Sequence, residues 1–510
     1  LKNLIVTNNT NGMGGGGIYC NSNSSPSLEN ITIINNSATG NSGRGGGFRC
    51  TTNSDPTLVN VLISGNTASQ EGGGVFCYNS VPSFINVTIS GNLSSTSEGD
   101  GIFIKNNSSP NLVNTILWGN ASNEIEFASV DDSSSITISY SNIEGGQDSI
   151  VTNDNGTVTW GDGNVDIDPL FVDVDNDDYH LLASSQLINA GDPTTFDSDG
   201  SRADMGAYPY LNSYSGPTWY INESGNDTTA TGASDDPFRS VQAGINFSSD
   251  DDSVTVAAGT YVENINFRGR NIKVAGADRE TTIIDGDSSG SVVTFDSGED
   301  STAVLSGFTI QNGLSENGGG IRCNGTSPTL DNLIIRGNHS SNYGGGIFCS
   351  AGANTTLKNV LLDDNSATSG GGIYLTNSSP ELEDVSISNN SSNDDGGGLH
   401  CVSNSSPSLK NVNIINNSSG SSGGGIRCQD NSSPSLENVL IANNTALLKG
   451  GGLHCRENSN PSLVNVTITN NSAGDVCGGI YIRDNSNPIL MNTVLWNNTL
   501  QQIYFISDNN

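Results

Sequence analysis

The sequence predicts an all-β chain built as two tandem right-handed parallel β-helix solenoids, with a short capping helix before the second. Three observations predict it. A Gly-rich phrase returns at a nearly fixed step, each return carries two short segments of period-two alternation, and almost no segment carries helical periodicity.

The step comes first. GGGIYC (Gly15 to Cys20) returns as GGGFRC from Gly45 and GGGVFC from Gly72, then fades at Gly99 to Gly101. A second set runs through GGGIRC from Gly318, GGGIFC from Gly344, GGIYLT from Gly371, GGGLHC from Gly396, GGGIRC from Gly423 and GGGLHC from Gly450, with CGGIYIR from Cys477 as a degenerate copy. Counting the third copy from Gly370, the starts in this second set lie 26 or 27 residues apart, and the first set steps by 30, 27 and 27. A leucine-rich repeat of similar length needs L-x-x-L-x-L-x-x-N, and a propeller blade needs roughly 40 residues. A period near 27 with short strands suits one rung of a parallel β-helix. Each rung adds about 4.8 Å along the axis, so the seven clear rungs from Gly318 make a rod of about 35–40 Å.

The strands follow from alternation. In GGGIYC, Ile18 and Cys20 share a face; in SSPSLENITIINN (Ser24 to Asn36), Ile31 and Ile33 do. Segments of three to five residues between Gly, Asn and Ser-Pro turns read as strands. Asn30, Asn60, Asn86, Asn114, Asn332, Asn359, Asn411, Asn438 and Asn465 recur in one phase. Asn tolerates the left-handed region, and stacked amides can bond along the axis. About five apolar side chains per rung turn inward, at roughly 1.5–3 kcal/mol each, against the ordering entropy of a whole rung, so no rung is stable alone.

Eight of the nine cysteines keep one phase: Cys20, Cys50, Cys77, Cys323, Cys349, Cys401, Cys428 and Cys455, with Thr376 interrupting the series. They are expected inside, as a stack of thiols. Disulfides between neighbouring rungs remain open, because the rung step lies within the allowed Cα separation. Metal-ligand spacing is missing. Cys477 falls at a turn and is expected to be exposed.

Composition restricts partners. Residues are only 33% hydrophobic and 6% aromatic, with 63 Gly, which fills a thin repetitive core rather than one large one. The formal charge is −35, from 53 acids against 18 bases, which speaks against nucleic acid and anionic membrane surfaces. No apolar run approaches the roughly 18 residues of a membrane span, and no signal peptide is visible. Sequons abound, among them Asn23, Asn30, Asn86, Asn120, Asn338, Asn404, Asn431 and Asn465; some would carry glycans in a glycosylating cell.

The regularity breaks between residues 128 and 217. DIDPLFVDVDNDDYHLLASSQLINAGDP (Asp166 to Pro193) leads into DSDGSRADMGAYPY (Asp197 to Tyr210). After TWYINESGND (Thr218 to Asp227), Phe238, Val241 and Ile245 stand at helical spacing, the one amphipathic helix and a plug for an open solenoid end. Four segments result: 1–127, a first β-helix; 128–217, a closing segment with acidic loops; 218–300, the cap and first rungs of a second β-helix; and 301–510, its remainder.

These phrases carry resemblances. Trp219 to Gly286 looks like the cap and first rungs of pectin-lyase-like right-handed β-helix proteins, pectin methylesterases among them. The GGGI…N repeats resemble those of surface β-helix proteins, including the chlamydial polymorphic outer-membrane family. The DPLF…INAGDP…GAY segment resembles the closing segment of large bacterial and archaeal β-helix surface proteins. The fold this implies is specific, whereas the function is not, since the fold hosts lyases, hydrolases, esterases, adhesins and spacers. Within the chain, NTILWGNASNEIEF (Asn114 to Phe127) matches NTVLWNNTLQQIYF (Asn492 to Phe505), and Leu1 to Cys20 matches Leu305 to Cys323. We read the chain as cut from a longer array of such units.

For chemistry, glycan cleavage on this fold needs paired carboxylates, or calcium with a poised base. The polygalacturonase phrases NTD, GHG and RIK are absent, and the esterase resemblance stops at Gly307 to Ile310 without the active-site phrases. Asp363-Asp364 and Asp394-Asp395 fall in turns, and His400 and His454 at the outward position of GGGLHC are expected to be solvated. Calcium is the better chemical reading: Asp173, Asp175 and Asp177 crowd one loop, while Asp197, Asp199 and Asp204 surround a Gly turn with alternating carboxylates but no closing bidentate Glu. Arg202 is the alternative, as a salt-bridge partner for these acids.

The functional expectation is an extracellular structural or adhesive module of a larger repetitive surface or fibre protein, without catalysis. Neighbouring copies would be its partners. Two alternatives stay open: a glycan-binding module using Tyr19, Phe76, Tyr374 and Tyr481 as outward aromatics, and a polysaccharide lyase or hydrolase.

Overall fold

The computed structural model describes residues 1–129 and 133–506. It is an all-β solenoid with a single α-helix of seven residues among the described residues, Val241–Phe247. The Cα packing divides it into two compact units: residues 1–213 with 227–229, and residues 214–226 with 230–510.

In the first unit, parallel strands stack in three sheets. A nine-stranded sheet runs from Lys2–Thr7 to Thr157–Trp160, a four-stranded one from Thr10–Asn11 to Leu93–Ser94, and a five-stranded one from Ile18–Cys20 to Ile125–Phe127. Register is set by like side chains: Leu28 pairs with Leu58, Leu58 with Phe84, and Phe84 with Leu112. The rungs run further than the repeat does. Ser135–Ser139 and Thr157–Trp160 extend the large sheet, and Ile136, Ile138 and Ile143 join the core. The remainder of the acidic segment lies against the outside of the same unit. Tyr208 Oη and Thr32 Oγ1 are 3.0 Å apart, Tyr179 Oη and Ser64 Oγ 2.6 Å, and Gly206 N donates to Asn114 O at 2.8 Å.

In the second unit four parallel sheets run side by side, of eleven, ten, ten and seven strands. The helix Val241–Phe247 covers the first rungs. Ser240 caps it by accepting from Ala243 N, and Phe238, Val241 and Ile245 are fully buried, as their spacing predicts. Trp219, Phe238 and Phe247 stack beneath it.

Two asparagine columns hold the turns. The outer one is the column the sequence shows: Asn60, Asn411 and Asn438 sit at φ 53°, 57° and 56°, and each amide donates to the residue one rung back. The inner one is buried. In the second unit it runs Asn338, Asn365, Asn390, Asn417, Asn444, Asn471 and Asn498. Each amide donates both to the next Oδ1 and to a carbonyl one rung back; Asn417 Nδ2 reaches Asn444 Oδ1 at 3.0 Å and Ile387 O at 2.9 Å. The same column in the first unit is Asn36, Asn66, Asn92 and Asn120.

The Gly triplet is a packing requirement. A Cβ at Gly345 would stand 2.4 Å from Ser366 O and 2.6 Å from Gly371 O, both backbone atoms that cannot step aside.

Candidate functional site

The cysteine column is inside: all nine cysteines are buried and free. Cys50 Sγ lies 3.6 Å from Cys77 Sγ, and burial pushes the Cys50 and Cys401 thiols well above their ordinary range. Two details differ from the sequence reading. The register places Leu375, not Thr376, between Cys349 and Cys401, because the rung begins at Gly370 and that copy is one residue earlier than the phrase suggests. Cys477 occupies the turn, with φ 58°, but is buried, its thiol 3.1 Å from Ile480 O.

Alternation then fixes the opposite face. If Ile321 and Cys323 point in, Arg322 points out, and the same row continues through Phe348, Tyr374, His400, Arg427, His454, Tyr481 and Tyr504. In the first unit it is Tyr19, Arg49, Phe76, Phe103 and Glu126. Aromatic and basic side chains thus stack rung on rung. Phe348 and Tyr374 rings are 5.9 Å apart, Tyr481 and Tyr504 5.7 Å, and Phe76 and Phe103 6.0 Å.

The row is not uniformly wet. His400 is 4% and His454 3% exposed, which corrects the expectation that they are solvated; neighbouring rings and guanidinium groups cover them. Tyr374 meets His400 edge-on at 5.1 Å, Tyr481 meets His454 at 4.7 Å, and Arg427 Nη1 lies 2.7 Å from His454 Nδ1. Burial, then the Arg427 charge, lowers the His400 pKa to about 3 and holds His454 well below its usual range, so both imidazoles are neutral at physiological pH. Phe76 and Tyr481 are likewise buried, so they do not serve as exposed glycan platforms, whereas Tyr19 is 45% exposed.

Around Arg49 the first unit's row opens into a cleft of about 340 Å³ lined by Tyr19, Arg44, Arg49, Phe76, Tyr78 and Lys105, with Asn21, Thr51 and Thr52 at its edge. The Arg49 guanidinium lies 4.9 Å from the Tyr19 ring centre and 5.4 Å from that of Phe76. Glu71, behind the cleft, pairs with Arg44 and, at 3.7 Å, with Lys105.

The acidic loops turn their carboxylates toward the backbone. Asp173 caps a short turn, its two oxygens accepting from Asn176 N and Nδ2, while Asp175 and Asp177 are exposed and take no part in that cap. Asp197, Asp199 and Asp204 do come together, but their oxygens serve the backbone. Asp204 accepts from Asn189 N and Tyr210 N at 2.7 Å each, Asp197 from Asp204 N at 2.9 Å, and Asp199 from Ser201 N and Asn212 N. Burial raises the Asp204 pKa to about 8 and the Asp197 pKa to about 6. Among the described residues no three His, Cys, Asp or Glu side chains are grouped to hold a metal ion. Arg202 does not neutralise the loop either; it donates to Gly191 O and Ala190 O.

Among the sequons, Asn23, Asn404 and Asn431 are exposed. Asn86 is half-buried with its amide in the outer column, and Asn120 and Asn338 are buried in the inner column, where their Nδ2 atoms are hydrogen-bonded; no glycan fits on these last two in the folded chain.

The inner column ends in an acid that sequence reasoning missed. Asn120 N donates to Glu124 Oε1 at 3.0 Å and its Nδ2 to Glu124 Oε2; in the second unit Asn498 Nδ2 donates to Gln502 Oε1 at 2.7 Å. The match between Asn114–Phe127 and Asn492–Phe505 contains this pair, as the signal that would have found it. Burial raises the Glu124 pKa to about 8, and Glu144 adds to it.

Comparison with known proteins places the repeat. Residues 60–78 and 384–402 match the Chlamydia polymorphic membrane protein repeat. Both segments cover the same part of a rung, from a left-handed residue (Asn60, Asp384) through the inner column (Asn66, Asn390) and the Gly triplet to the cysteine column (Cys77, Cys401). The chain is a β-solenoid whose rungs are similar to those of this surface-protein family. Among solved structures, a double mutant of the periplasmic alginate epimerase AlgG matches at 10% identity over 96% of this chain and 84% of that one, with a TM-score of 0.17, too low to support an argument. No curated protein matches.

Proposed function

We propose that this chain is a non-catalytic structural or adhesive module of a repetitive, extracellular cell-surface protein, wound as two tandem right-handed solenoids. Right-handed winding is supported by the strong preference of parallel crossovers for that hand. The observation that carries the functional reading is the twofold match to a membrane-protein repeat at one and the same part of the rung. The exposed part of the outward row supports it: Tyr19 is a residue that a surface module would present. Neighbouring copies and glycans are the partners this reading implies.

The test is antibody labelling of intact, unpermeabilised producing cells, with parallel incubation of the purified chain with acidic polysaccharides. Surface labelling without new reducing ends or unsaturated products is expected. Labelling only after permeabilisation, or steady product release abolished by altering the outward row, would overturn the reading.

A further inference from the structure

The cleft at Arg49 is an electrostatic exception in this molecule. The chain carries 53 acids against 18 bases, yet three cations and no acid line this cleft. Glu71 offsets one of the three charges from behind, through Arg44 and Lys105. Glu98 lies within electrostatic range of Lys105 and Arg44 but does not line the cleft. The walls therefore present net positive charge, held in place in advance.

Three features say what that charge is for. Arg49 is clamped between the Tyr19 and Phe76 rings, its Nη1 donates to Met13 O at 3.3 Å, and its buried Nε meets no hydrogen-bond partner among the described residues. A guanidinium so held loses little freedom on binding a carboxylate or sulfate. Tyr19 and Tyr78, 45% and 38% exposed, offer flat apolar faces at the rim. Thr51 Oγ1, 3.0 Å from Asn21 Oδ1, adds hydroxyl and amide groups suited to sugar hydroxyls. The volume, about 340 Å³, sits at the small end of ligand clefts.

We propose that this cleft binds an acidic sugar residue, carboxylated or sulfated, within an otherwise neutral glycan. The inference rests on the surface-module reading and gives it a ligand class. A densely charged polyanion is disfavoured, because everything beyond the cleft would meet a surface of net charge −35. One acidic unit on a neutral chain meets the cations without that repulsion, and its ring faces stack on tyrosine.

The experiment uses the full chain and three probes sharing one core: lactose, sialyllactose and a sulfated lactose, titrated by calorimetry at low and high salt. At least one acidic probe should bind about tenfold more tightly than lactose, with the preference shrinking as salt rises, and the two acidic arms separate carboxylate from sulfate recognition. Arg49→Gln and Lys105→Gln should each remove most of that preference, roughly the worth of one charge-assisted hydrogen bond. Lys105, partly exposed at the rim, gives the variant that keeps the fold even if Arg49→Gln does not. Equal binding of all three probes, no binding of either acidic probe, or unchanged preference in Lys105→Gln with intact circular dichroism would overturn the proposal. Surface labelling of intact cells is independent of these outcomes, so a failed glycan preference with positive labelling refutes the ligand alone.

Discussion

Replacing Asn417 by Ala tests how the turns are held. Its side chain makes four buried hydrogen bonds: Nδ2 donates to Ile387 O and Asn444 Oδ1, and Oδ1 accepts from Asn390 N and Asn390 Nδ2, all at 2.9–3.0 Å. Ala removes all four: Ile387 O, the Asn390 backbone N–H and one Nδ2–H of Asn390 each lose a buried partner, while Asn444 Oδ1 keeps the bond from Asn417 N and Asn390 Nδ2 the bond to Leu362 O. At about 1 kcal/mol per lost bond, with more for orphaned groups that water cannot reach, the cost is roughly 4–6 kcal/mol. Asn411 is the control. It lies in the outer column with φ 57°, exposed, bonded to Asp384 at 3.0 Å and Asn438 at 3.3 Å. Asn411→Ala should cost about 1–2 kcal/mol, almost all of it left-handed strain, and Asn411→Gly should cost under about 0.5 kcal/mol. Urea unfolding followed by far-ultraviolet circular dichroism measures all three. If Asn417→Ala is no more destabilising than Asn411→Ala, the inner amide column is not what secures the rungs.

Four further outcomes are expected. Glu124, with its folded pKa raised from 4.5 to about 8, stabilises the first unit fully below pH 4.5 and loses that contribution as pH rises through 8, by up to roughly 5 kcal/mol; Glu124→Gln, which reproduces Gln502, should flatten this alkaline loss, and an unchanged pH–stability curve would refute the assignment. His400 and His454, with depressed folded pKa values, do the reverse in the second unit: stability is complete above pH 6.5 and falls as pH drops toward 3, and His400→Gln should weaken that acid loss in urea midpoints measured from pH 7 to 4. Gly345→Ala should lower the thermal midpoint clearly, by about 1–3 kcal/mol of overpacking, because the added carbon meets backbone; a neutral effect would show that the triplet is not sterically required. Calcium at millimolar concentration should leave the thermal midpoint unchanged, and a rise lost in Asp204→Asn would restore a calcium loop.

Much of the fold was legible because a solenoid writes its period into the chain. Ile18, Cys20, Ile31 and Ile33 gave the inward faces, and the positive-φ Asn column followed from residue type. The inner column was harder to see: in NN pairs such as Asn389-Asn390 and Asn416-Asn417, composition does not say that the first is a left-handed turn and the second a buried amide. Burial of the outward row was missed for a related reason. Alternation fixes which way His400 points, not whether Tyr374 and Arg427 in adjacent rungs cover it. In the acidic loops, alternating carboxylates suit calcium and suit the capping of backbone N–H groups equally well; the folded chain shows the capping, with Asn189 N and Tyr210 N on Asp204. Arg44, Arg49 and Lys105 share no motif in the sequence; the stacking of rungs brings them to one cleft.

All of this depends on one alternation: with Cys in the wall's interior, the residue before it must face out, and the binding row exists. Mass spectrometry after brief alkylation of native chain measures that directly. The account predicts no cysteine modified in the native state and all nine modified in denaturant without reductant. Rapid labelling of Cys349, Cys401 or Cys428 in the native chain would turn the strands over and remove the row. Fewer than nine adducts in denaturant would replace the thiol column with disulfides.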